Sequence, residues 1–214
     1  MRLLRLLLLP VFLLAGLFYA IHWLQRAADQ ETAGERLVIF AAAGLKAPLD
    51  EVMADYVKWS KKERGFAPVL EVQYGGSGDL LARLQAGSYA DLYLAADSYF
   101  MDRAESEGLV QEVMPLATMV PVIALSAEGA QKVRTPSDLL QPEVRVGIAQ
   151  PDGTAIGQAT RSAYERSGKW RELEEASVVT KTTVNELAMD LQIGSLDAAI
   201  IWDALAAQFG LATL

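Results

Sequence analysis

Tyr74–Gln85, YGGSGDLLARLQ, is the stretch whose residue types most clearly suggest chemistry. The alternating run from Val69 to Tyr74 reads as a strand, and it breaks on Gly75 and Gly76. Ser77, Gly78 and Asp79 then precede Leu80, Leu81 and Leu84, an apolar spacing that belongs to a helix. A strand that runs through glycines into a helix leaves amide N–H groups without partners, and the helix adds the positive end of its dipole. With a serine hydroxyl beside them, such donors make a seat for an anion. The plainer reading is a glycine-rich turn with Ser77 as the N-cap of its helix.

Three other strand-to-helix turns have the same makeup: Ala42-Ala43-Gly44-Leu45, Asp152-Gly153-Thr154-Ala155-Ile156-Gly157 and Lys181-Thr182-Thr183-Val184. Small residues let a ligand approach the backbone closely. A charge-assisted hydrogen bond contributes about 1.5–3 kcal/mol, and a micromolar Kd corresponds to about 8 kcal/mol, so five or more converging donors suffice for a small oxyanion. Each turn taken alone is also ordinary α/β punctuation.

Catalysis is poorly served. The single histidine, His22, lies in an apolar N-terminal stretch, and there is no cysteine. Gly76-Ser77-Gly78 resembles part of a nucleophile elbow but has no histidine to act as its base. No cluster has metal-ligand spacing, and the glycines fit neither a P-loop nor a dinucleotide fingerprint. Asp79, Asp91, Asp97 and Asp152 read as caps or turn residues. Trp202, before Asp203 at a strand end, would ordinarily be core, but its indole N–H can donate into a cleft.

The elements that must position these turns follow in order. Arg36–Ala43 reads as a buried strand, about Ala47–Arg64 as an amphipathic helix, and Asp91–Leu94 and about Tyr99–Glu107 as a further strand and helix. Leu116–Leu125 is a strand candidate in which Pro121 suits an edge or a crossover. A short capped helix at 135–140, a strand at 144–149, a helix at about 155–167 and a strand at 176–180 come next. Helix 184–193, introduced by the capping-box pair Thr183 and Glu186, and strand 197–202 complete the series before a short apolar helix. This is the grammar of two parallel α/β lobes, with ligands beyond the carboxyl ends of the strands.

Residues 6–24 are almost uninterrupted apolar behind Arg2 and Arg5, the pattern of an export signal. The run is also long enough to span a bilayer, and Phe18-Tyr19-Ala20 is a poor cleavage site, so an uncleaved anchor is an alternative. Residues 25–34 read as a linker. The 214-residue chain carries a net charge of −8, and without residues 1–34, which hold three basic and two acidic residues, the balance is −9. That excludes a nucleic-acid binder and any general attraction for anions, so an anion site must work by local hydrogen bonds.

The succession VIFAAA, YGGSGDLLARLQAG, YADLYLAAD, VGIAQPDGTAIGQ and DAAIIWDAL resembles the periplasmic molybdate-binding proteins of ABC transporters, over about Arg36 to the C-terminus. The resemblance implies the type II periplasmic-binding fold, two α/β lobes with a ligand cleft: lobe 1 from 35–118 and 203–214, lobe 2 from 119–202. It implies a monomeric, periplasmic binding protein, not an enzyme and without a cofactor, that captures molybdate or tungstate for an ABC permease. The ligand set it implies is Gly44, Gly76, Ser77, Ile156, Val184 and Trp202. Two members depart from the family: Gly44 stands where a serine is usual, and Trp202 where a tyrosine is usual. The family's chain also returns to the first lobe after this point, so the sequence reads as a fragment with its C-terminal part missing. The alternatives are a membrane-anchored sensor of the same fold, or a binder of phosphate or sulfate, with Asp79 or Asp203 as an acceptor for a protonated oxygen. The effector domain of a LysR-type regulator shares the fold, but here an apolar segment stands where its DNA-binding motif would be.

Overall fold

A computed structural model describes residues 35–214, and the apolar 6–24 stretch and the linker lie outside them. Among the described residues no helix is long and apolar enough to cross a membrane. The described residues divide into two compact units. The smaller, Ala54–Leu70 with residues 35–36, holds itself together locally: Tyr56 stacks on Trp59, and Arg64 lies over the Trp59 ring while pairing with Glu35.

The larger unit, Leu37–Met53 with Glu71–Leu214, carries every turn singled out above. The first sheet has the order β2-β1-β3, built from β1 (Arg36–Ala42), β2 (Val69–Gly75) and β3 (Leu92–Leu94), with β1 and β3 parallel. A short 3-10 turn, Ala43–Leu45, leads from β1 into α1 (Lys46–Glu63). β2 leads into α2 (Ser77–Gln85), and β3 into α3 (Ser98–Ser106), which Asp97 caps by accepting the Phe100 N–H.

The second sheet has five strands in the order β6-β5-β7-β4-β8. Here β4 is Pro121–Leu125, β5 Val146–Ala149, β6 Ser177–Lys181, β7 Ala198–Trp202 and β8 Ala212–Thr213. β5, β6 and β7 run parallel, but β4 lies antiparallel to both β7 and β8. The sheet is therefore mixed where a parallel one was expected. Strand direction follows from pairing partners far apart in sequence, which local pattern does not encode. β4 is also shorter than its apolar run: it opens at Pro121, the position at which proline costs no ladder hydrogen bond. Pro121 pairs only with Trp202, because β8 reaches no further than Ala124 and Leu125.

The helices of this half are α4 (Gly129–Lys132), α5 (Ala155–Arg166), α6 (Trp170–Ala176), α7 (Val184–Gln192) and α8 (Asp203–Gln208). Helix α6, with one lysine and one arginine against three glutamates across 169–175, gives too weak an apolar stripe to be read from sequence; only Leu173 is fully buried. The resemblance puts residues 203–214 in the first lobe; of these, Ala212–Thr213 form β8 and pair with β4 at the edge of the second sheet. The core follows the second sheet: Ile148, Ala198, Ala199 and Ile201 from the strands meet Ile156, Leu187 and Leu191 from α5 and α7.

Candidate functional site

All four turns end at one place. A cavity of about 20 Å³ is lined by Gly44, Gly76, Ser77, Ile156, Val184 and Trp202, so the six positions chosen from sequence are brought together. Ala42, Ala43, Gly75, Ala96, Thr154, Ala155 and Thr183 complete its wall. No charged side chain is among them. Three helices of nine or more residues, α2, α5 and α7, begin at this wall. The first amides of each have no carbonyl four residues back to bond to.

Two of the turns are braced by threonine caps that hold their first amides in place. At α5, the Thr154 hydroxyl accepts the Gly157 N–H at 3.0 Å and donates to the Gln150 carbonyl at 2.8 Å. At α7, Thr183 and Glu186 form the expected capping box, with Glu186 accepting the Thr183 N–H at 2.9 Å. Burial pushes the Glu186 carboxyl up, but the hydroxyls of Thr183 and Thr182 hold it below its ordinary value, so it stays an acceptor. These two threonine hydroxyls are thereby committed to their helices.

Ser77 is placed differently from expectation. Gly76 is the N-cap and Ser77 the first helical residue, only 1% exposed. Its hydroxyl oxygen does not cap α2. It accepts the Ala96 N–H at 3.1 Å, and its carbonyl accepts the Tyr93 hydroxyl at 2.8 Å. The hydroxyl proton is left for another acceptor. Ala96 and Tyr93, at the end of β3, were missed as supports; the signal available was the small pair Ala95-Ala96 before the cap Asp97.

Gly44 packs beside Val184 and Trp202. A Cβ built on Gly44 would lie 3.2 Å from Val184 Cγ1, 3.4 Å from Trp202 Cδ1 and 3.9 Å from Trp202 Nε1. The Val184 methyl crowds that position and the indole lies in ordinary contact with it, so the Trp202 N–H edge comes to the same spot. Trp202 is 4% exposed, and its indole N–H donates to no group among the described residues. Asp79 and Asp203, considered as acceptors for a protonated ligand, do not line the cavity. Asp203 instead accepts the N–H groups of Val120 and Ala204.

Chemically, this is a small chamber of uncharged donors. Two side-chain donors, the Ser77 hydroxyl and the Trp202 indole, join amides at the starts of three helices. Among the described residues no group of three or more histidines, cysteines, aspartates and glutamates is placed to hold a metal ion.

Comparison with known proteins agrees with this architecture. The sequence profile of bacterial extracellular solute-binding proteins matches residues 37–212. A "Putative binding protein" of Haemophilus influenzae is 28% identical over 77% of this chain and 65% of its own length. The "Molybdate-binding protein ModA" of Mycobacterium tuberculosis is 28% identical over 81% of this chain and 64% of its own. The chain thus spans about 65% of the length of these relatives. The solved periplasmic molybdate-binding protein of Azotobacter vinelandii superposes with a TM-score of 0.61 over 78% of this chain and 71% of that one, at 16% identity. The two-sheet α/β fold is that of the periplasmic binding proteins, whose role is to bind rather than to catalyse. With a profile match across nearly all of the described residues, the chain belongs to the family of bacterial extracellular solute-binding proteins.

Proposed function

We propose that the protein captures molybdate or tungstate outside the cytoplasm and hands it to an ABC permease in the inner membrane. One observation carries the reading: the cavity offers hydrogen-bond donors and no charged side chain. Molybdate carries no proton at neutral pH and needs donors only, whereas a protonated phosphate also needs an acceptor. Relatives named for molybdate point the same way. In this reading the hydroxyl and amide of Ser77, the amides of Gly44, Gly76, Ile156 and Val184, and the indole of Trp202 surround the four oxygens. The lining comes from turns far apart in sequence, and the walls are expected to part for the ion and close on it.

The test is a thermal-shift panel on the purified protein with molybdate, tungstate, sulfate and phosphate. A ligand bound only by the native state at 100 times its Kd stabilises by about 2.7 kcal/mol. Molybdate and tungstate are expected to raise the melting temperature and phosphate to leave it unmoved. Stabilisation by phosphate instead, or by none of the four, rejects the reading. The poor cleavage site Phe18-Tyr19-Ala20 within residues 6–24 favours a second possibility, a membrane-anchored sensor with the same ligand. Mass spectrometry of the mature protein separates the two, since a start between residues 25 and 35 removes the anchor.

A further inference from the structure

Gly76 and Gly78, packed against Gly153 and its neighbour, have a need for glycine that backbone conformation does not explain. None of them has a positive φ, and Gly76 sits at φ −66°, ψ 144°, an extended geometry open to any residue. What forbids a side chain is the opposite turn. A Cβ on Gly76 would lie 2.1 Å from the Gly153 carbonyl oxygen and 3.0 Å from Thr154 Cγ2. One on Gly78 would lie 2.3 Å from the Asp152 carbonyl oxygen. One on Gly153 would meet the Asp79 carboxylate at 2.8 Å.

The close approach is sealed by hydrogen bonds. The N–H groups of Gly78 and Asp79 both donate to the Gly153 carbonyl, at 2.9 and 3.2 Å. These are the second and third amides of α2, donors that a helix start would otherwise turn toward an anion. Their use here leaves Ser77 as the part of α2 facing the cavity. Gly76 and Thr154, one on each side of the contact, both line the cavity, so the contact is part of its wall.

We infer that Gly76, Gly78 and Gly153 form a backbone-to-backbone clasp that fixes the width of the cavity and so selects a bare inorganic oxyanion over any organic anion. The inference rests on the oxyanion reading and deepens it. A methyl at residue 76 holds the two turns apart, lengthens every donor-to-oxygen distance and frees the two amides. Alanine accepts this φ and ψ, so the cost arises from the opposing backbone and the two hydrogen bonds and not from strain at residue 76 itself.

The experiment compares the full chain with its Gly76→Ala variant, using molybdate as the probe and phosphoserine as an organic competitor. Calorimetry is expected to show molybdate affinity falling at least about tenfold, a loss of about 1.4 kcal/mol. The ligand-free melting temperature is expected to fall as well, because the unliganded turns lose both hydrogen bonds to the Gly153 carbonyl. Amide exchange followed by NMR is expected to show Gly78 and Asp79 protected in the molybdate-bound wild type and unprotected in the variant. Undiminished molybdate affinity in the variant overturns the inference. So does a lower ligand-free melting temperature with affinity kept, which marks ordinary packing, and so does wild-type binding of phosphoserine as tight as molybdate. Free exchange of the two amides in the wild type overturns it without any variant. If the wild type binds no inorganic oxyanion, the ligand reading fails, and exchange at Gly78 and Asp79 in the unliganded protein still decides whether the clasp exists.

Discussion

Ser77 is held at three atoms, through its position at the start of α2, its carbonyl under the Tyr93 hydroxyl and its side-chain oxygen on the Ala96 N–H. A side chain so constrained presents its proton in one direction, and preorganised donors of this kind lose little entropy on binding. Ser77→Ala is expected to weaken molybdate at least about tenfold, consistent with about 1.5–3 kcal/mol for a hydrogen bond to a charged group. Isothermal calorimetry measures this directly, and equal affinities in the two proteins remove Ser77 from the site. That Ser77 would matter was legible in the sequence, from a serine among glycines at a helix start. Its partners were not, because Ala96 and Tyr93 reach it only through the pairing of β3 beside β1. Gly44 is a similar case. The missing hydroxyl was visible, but its neighbours, an indole and a valine from the second half of the chain, are set only in three dimensions.

At the scale of elements, the second sheet is tied at the end away from the cavity by one buried carboxylate. Asp197, just before β7, is fully buried. It accepts the backbone N–H of Arg145 at 2.8 Å, two guanidinium N–H groups at 2.6 and 3.1 Å, and the Lys132 ammonium at 3.1 Å. It thereby joins the starts of β5 and β7 to α4. Burial pushes its pKa up, but the hydrogen bonds from Arg145 and Lys132 outweigh it and bring the value to about 2, below the ordinary 3.8. A carboxylate with a depressed folded-state pKa stabilises fully above its unfolded value and loses that contribution as pH falls through the folded one. Asp197→Asn is expected to cost about 1–3 kcal/mol near neutral pH, because the Arg145 and Lys132 donors lose their strongest acceptor. Urea melts of the two proteins are expected to converge as pH drops from 4 toward 2; a gap independent of pH refutes the ionic role. The sequence offered no hint of this cluster, since Lys132, Arg145 and Asp197 are separated by long stretches of chain. The strands and helices that carry the cavity were legible because each has its own period and its own stop. The antiparallel entry of β4, the placement of β8 and the faint helix α6 were not, because they depend on pairing or on burial by a distant neighbour.

For the molecule as a whole, the relevant quantity is its charge. Outside residues 1–34 the balance is −9, so the long-range field opposes a dianion and attraction begins only at hydrogen-bonding distance. Screening lengths shrink from about 30 Å at 0.01 M salt to about 8 Å at 0.15 M. The association rate for molybdate, followed by tryptophan fluorescence in stopped flow, is therefore expected to rise as sodium chloride is added across this range. A steep fall would reveal a positive funnel that the composition does not contain.

The chamber's neutrality also bears on unloading. With no ionisable group on its wall, acidification has nothing there to protonate, and a drop in pH cannot eject the cargo by changing the charge of the walls. On the proposed reading, release of the ion then depends on separating the turns and not on titrating them.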